Sequence, residues 1–154
     1  MMKKNNLYSL AEKLFPINRS ITGEGVRSTL KILKDINHSL KISEIRSGTK
    51  VFDWKIPLEW NVRDAWVKDK NNKKIIDFRK NNLHLMGYSI PVNKLVKLNE
   101  LKKHLYFHES RPNAIPYVTS YYKKKWGFCL SKNQLKKLKN ETYKVKIDSN
   151  FKKG

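Results

Sequence analysis

Near the start of the chain, apolar positions recur at helical spacing at Leu7, Leu10, Ala11 and Leu14, and Pro16 ends the pattern. A second apolar face, made by Val26, Leu30, Leu33 and Ile36, predicts a helix from about Gly25 to Asn37, with Thr22 as its N-cap. From Leu40 the period changes to two, which predicts a strand through Ile45 followed by a turn in SGTK. The run VFDWKIPLEWNVRDAWVKD predicts two strands, or a strand and an extended arm, with Pro57 forcing an edge or a bend. KDKNNKK then turns the chain into KKIIDF as a hairpin.

Further on, NNLHLMGYSIPVN predicts a loop and a short strand, and LNELKKHLYF a helix with Leu98, Leu101 and Leu105 facing inward. Pro112 and Pro116 keep RPNAIPYVTSYY extended or looped. WGFCLS predicts a short strand with Trp126, Phe128 and Leu130 on one face. Ser131 suits the N-cap of a helix over KNQLKKLK, and TYKVKIDS alternates as a final strand.

Composition changes the picture in one respect. The 154 residues suffice for one domain or part of a larger one, and a formal net charge of +21 attracts anions through its long-range field. Of the 34 basic residues, however, only Arg19, Arg27, Arg46, Arg63, Arg79 and Arg111 are arginines. Arginine is the planar reader of phosphates and base edges, so lysines spread through the chain describe a solvated surface better than a nucleic-acid site. A stand-alone basic module for nucleic acid or anionic polysaccharide remains as the second reading, motivated by the lysines and aromatics of YVTSYYKKKWGFCLS. The single cysteine, Cys129, excludes an intrachain disulfide and fits a small core position. No apolar run approaches membrane-spanning length, and the start MMKKNNLYSLAEKLF is amphipathic, unlike the apolar block of a signal peptide. No membrane partner is expected, and the cytoplasm is the expected compartment.

The residues offer no catalytic set. His104 and His108 are four apart beside Glu109, but a metal site needs three or four converging ligands. His84, between two leucines, reads as a structural histidine bonding a backbone carbonyl, or as a substrate-facing group on a loop. Asp53, Glu59 and Asp64 lie among Trp54, Trp60 and Trp66, where ion pairs with Lys55 and Arg63 account for them. Ser20, Thr22, Ser47 and Thr49 lack the elbow of a nucleophilic serine, and TGEG is too short for a phosphate loop. No catalytic and no metal-binding residue is therefore expected in this chain.

Four runs in order, LFPINRSITGEGVRSTLKIL, SGTKVFDWKIPLEWNVRDAWV, NNLHLMGYSIPV and AIPYVTSYYKKKWGFCLSKNQ, resemble the N-terminal part of a bacterial family of aminopeptidase-like proteins. That family is related to the co-catalytic zinc aminopeptidases, carries an inserted domain of unknown function, ends in a winged helix and is often linked to polysaccharide biosynthesis loci. The resemblance implies an α+β chain. Residues 1–54 would be helices and a strand of an incomplete aminopeptidase-like α/β domain, 55–125 an inserted, mostly β subdomain, and 126–154 a truncated return into the first.

The family's metal ligands would follow Gly154, so the resemblance implies no cofactor in this chain, zinc in full-length relatives, and no activity of the chain alone. It also implies exposed apolar surface, with a separately encoded C-terminal portion or self-association as the expected partner. Tyr121, Tyr122, Trp126, His84 and Arg19 are the candidates for a cleft-facing or interface role.

Overall fold

A computed structural model describes residues 4–154, with α-helices and mainly antiparallel strands, an α+β architecture. Met1–Lys3 lie outside the described residues, so the amphipathic start is followed from Lys4. Two compact units are present. The first holds the described residues up to Asn61 together with Phe151–Gly154, and the second is Val62–Asn150.

In the first unit, helix α1 spans Lys4–Leu14 and helix α2 spans Glu24–Ile36, close to the expected limits. The cap of α2 differs from expectation. Its N-cap is Gly23, at φ 94°, because the Thr22 hydroxyl instead donates to the Leu58 carbonyl at 3.3 Å and the Glu24 amide is taken by Asn61 Oδ1 at 2.8 Å. The strand expected over Leu40–Ile45 does not form, since alternation alone gives it no partner to pair with. A small hairpin follows, β1 (Lys50–Val51) with β2 (Trp54–Lys55), and Pro57 separates it from β3 (Glu59–Lys68).

The second unit is built on a four-stranded sheet in the order β4-β3-β8-β5, where β4 is Lys74–Asp77, β5 Val92–Lys97 and β8 Thr142–Lys152. The expected hairpin forms: β3 and β4 pair antiparallel, with Asp69 Oδ1 accepting from the Asn71 and Lys73 amides inside the turn. β8 pairs with β5 over Thr142–Ile147, and its Tyr143, Val145, Ile147 and Ser149 are buried in alternation. β8 runs on past TYKVKIDS through the SNFK segment to Lys152.

Helix α3 stops after Leu98–Lys102, shorter than LNELKKHLYF predicts. The Lys103 and His104 amides close its last turn, and β6 (Leu105–Tyr106) then pairs in parallel with β7 (Phe128–Cys129), an interaction stronger than continued helix there. Helix α4 (Lys132–Lys136) starts at Ser131 with a capping box completed by Gln134.

The core lies in the second unit. Ala65, Val67, Phe128, Cys129, Leu130, Leu101 and Val145 are fully buried there, whereas among the described residues Trp60 alone represents the first unit in the buried apolar set. Of the thirteen exposed large apolar side chains among the described residues, ten belong to the first unit, from Leu7 and Tyr8 through Phe52 to Leu58. Residues 55–61 group with the first unit, and 126–150 share one unit with 62–125.

Candidate functional site

In the second unit a strap of irregular backbone is laid along Gly87–Ile90. Gly87 donates to the Val118 carbonyl at 2.8 Å, Ser120 donates back to Gly87 at 3.0 Å, and Ile90 donates to Lys125 at 2.9 Å. The Ser120 hydroxyl also reaches the Tyr88 carbonyl at 3.2 Å. These bonds hold two bulky residues at left-handed backbone angles, Tyr88 at φ 61° and Tyr121 at φ 34°, which few non-glycine residues adopt. Their rings meet edge to face, with centroids 5.2 Å apart.

The Tyr117 phenol is held above its ordinary value by desolvation first and then by the charge and hydrogen bond of Tyr121. Tyr88 is buried, while Tyr117 and Tyr122 stand exposed at 64% and 61%. Lys123, Lys124 and Lys125 follow on the same strap, also exposed. Thr119 Oγ1 is buried there with no hydrogen-bond partner.

The remaining expected residues have other settings. Trp126 is buried, its ring stacked on His104 at 3.6 Å, with Lys94 Nζ 4.9 Å from the ring centre. His84 is buried, and its Nδ1 donates to the Cys129 carbonyl at 2.7 Å. Arg19 is exposed, and its guanidinium donates to the Leu14 carbonyl at the end of α1. The structure thus brings Tyr121 and Tyr122 onto one strap, places Trp126 and His84 in the packed interior beside β7, and puts Arg19 in the first unit.

Sequence reasoning missed the strongest charged group. Arg27 on α2 forks onto Glu59 of β3, with Nη1 to Glu59 Oε2 at 3.1 Å, and also meets Glu24 at 3.0 Å and Glu44 at 3.5 Å. Lys152 adds a second cation, 3.5 Å from Glu59. The Arg27 hydrogen bond, larger than the opposing burial, holds the Glu59 carboxyl below the ordinary range and raises the Arg27 guanidinium. Glu59 pairs with Arg27 and Asp64 with Arg79, while Arg63, expected beside them, pairs with Asp148, because these partners are set by sheet and helix packing instead of chain proximity. Glu59 and Arg27 line a cavity of about 470 Å³ whose apolar wall includes Ile21, Val26, Leu30 and Ile56.

Among the described residues no three His, Cys, Asp or Glu side chains converge as metal ligands. His104 Nδ1 faces the Trp126 carbonyl at 3.1 Å and Nε2 faces Glu100 at 3.3 Å, while His108 meets Ser110. No described helix is long and apolar enough to cross a membrane.

Residues 59–150 match the model of a domain of unknown function, DUF2172. A protein of Clostridium acetobutylicum, described provisionally as a polysaccharide biosynthesis protein with an aminopeptidase-like domain, is 50% identical over 148 residues, covering 96% of this chain and 34% of its own length. The crystal structure of a protein from the same organism, described provisionally as a peptidase, superposes with a TM-score of 0.91 at 49% identity, over 97% of this chain and 35% of that one. The chain therefore spans about a third of the length of the relatives it matches. They agree with the aminopeptidase-like resemblance of the four sequence runs and with the expected domain of unknown function. On the match over most of its length, the chain belongs to the DUF2172 family.

Proposed function

We propose that this chain forms the N-terminal portion of an aminopeptidase-like protein, in which the first unit is the start of the peptidase-like domain and Val62–Asn150 is a separate accessory module. The observation that carries this reading is the inequality of the two units. The second buries a full core, whereas among the described residues the first buries only Trp60 of its apolar side chains and leaves ten large ones exposed. A unit of that kind gains its stability from further polypeptide that covers it, and the 34% share of a relative with an aminopeptidase-like domain supplies the chemical context.

Zinc is expected for full-length relatives, but the described residues do not fit a zinc site, since no three donors converge. No catalytic step is assigned to them. Their part is to hold α1, α2 and the Arg27–Glu59 pair as scaffold, and the chain alone is proposed to be inactive.

The test mixes the chain with the remaining two thirds of the clostridial relative. The expected result is a stable one-to-one complex by light scattering, loss of self-association of the isolated chain, and zinc-dependent release of an amino acid from an aminoacyl anilide only in the mixture. A chain that is monomeric alone, melts in one cooperative step and ignores the remainder would sink this reading.

A further inference from the structure

We propose that the strap carrying Tyr117, Tyr121, Tyr122 and Lys123–Lys125, braced on Tyr88, is a platform for an acidic saccharide chain. Three tyrosines lie within six positions of the strap, a fourth, Tyr88, meets Tyr121 edge to face, and three lysines follow directly. The rings of Tyr117 and Tyr122 are exposed, so each offers apolar surface to the C–H face of a sugar ring. Tyr121, half-buried between them in sequence, is fixed by its edge-to-face contact with Tyr88, 5.2 Å between ring centroids. Lysine ammonium groups then attract the carboxylates of an acidic sugar as mobile point charges.

Two features argue that the arrangement is built and not incidental. Tyr88 and Tyr121 both occupy left-handed backbone angles that cost free energy for bulky side chains, and the surrounding backbone bonds hold them there. The platform also lies in the unit that has its own core, and its strap is tied to that unit by the Gly87–Val118, Ser120–Gly87 and Ile90–Lys125 backbone bonds. A nucleic acid is the competing polyanion. The saccharide is favoured because residues 112–154 contain no arginine, the side chain best suited to phosphate and base edges, and because the edge-to-face contact of Tyr121 with Tyr88 engages ring surface that bases would stack on.

The test uses the full chain and isothermal titration against polygalacturonate, neutral dextran and oligo-dT. Polygalacturonate is expected to bind at about 150 mM salt, a condition that screens surface charge beyond roughly 8 Å. Tyr117→Ala with Tyr122→Ala is expected to weaken binding roughly tenfold while leaving the melting curve unchanged, because both side chains are exposed. Replacing Lys123, Lys124 and Lys125 by Ala is expected to remove the preference for polygalacturonate over dextran. Oligo-dT binding as tight as polygalacturonate, binding that disappears at 150 mM salt, or binding that ignores the tyrosine changes would each overturn the proposal.

Discussion

The imidazole of His104 lies nearly parallel to the indole of Trp126, with ring centres 3.6 Å apart and planes inclined by 15°. This stack clamps the segment before β7 against the end of α3, and the Trp126 carbonyl faces His104 Nδ1 at 3.1 Å. Trp126→Ala is therefore expected to destabilise the second unit by about 3–5 kcal/mol, the usual cost of emptying a buried aromatic site. Trp126→Phe, which keeps an aromatic face, costs less. Chemical denaturation read by far-ultraviolet circular dichroism checks both, and equal losses for the two variants would contradict the stacking account.

The Arg27–Glu59 pair makes stability depend on acid. The folded-state value of Glu59 is depressed, so its contribution is present above the unfolded carboxylate value and is lost as pH falls through the folded one. Unfolding stability of the chain should fall below about pH 4. Glu59 is buried but Arg27 is two-fifths exposed, so solvent screening moderates the pair, and Glu59→Gln is expected to cost about 1–3 kcal/mol at pH 7. The same variant should show a flatter decline from pH 5 to 3. A decline as steep as that of the parent would assign the acid sensitivity to other carboxylates.

Cys129 is fully buried, and burial pushes its thiol up to about 12. A disulfide reagent at pH 8 should label it only as fast as the second unit opens, and at once in denaturant. Rapid labelling of the folded chain would contradict the packed position of β7.

Gly127 permits a close approach. A Cβ added there would lie 2.6 Å from Tyr106 Cε2, closer than real side-chain carbons come, and a tight 3.0 Å from the His104 carbonyl. Gly127→Ala must push β6 and β7 apart and is expected to cost about 1–3 kcal/mol. A calorimetric melt unchanged from the parent would show that Tyr106 swings away freely.

The limits of α1 and α2, the β3–β4 hairpin and the Ser131 cap were legible because each rests on local chemistry: helical spacing, an Asx turn, and a serine three residues before Gln134. The elements that were misread depend on distant partners. Leu105–Tyr106 leaves helix for strand because Phe128–Cys129 lies alongside, and Leu40–Ile45 stays irregular because no strand pairs with it. At the candidate site, Tyr121 and Tyr122 stood out as an aromatic pair, but Tyr88 did not, since its contact with Tyr121 depends on Gly87 pairing with Thr119. Arg27 and Glu59 are 32 positions apart, and no local signal links them.

β8 is made after β3, β4 and β5, yet it stands between β3 and β5 in the sheet. During synthesis β3 and β5 therefore wait, without the neighbour that joins them, until Thr142–Lys152 has left the ribosome. Closing the sheet joins residues far apart along the chain, a slow step by comparison with helix formation. A ribosome stalled before residue 142 would hold a chain open to chaperones and proteases, and release of those last eleven residues of strand is what turns the second unit from a set of unpaired edges into a protected body.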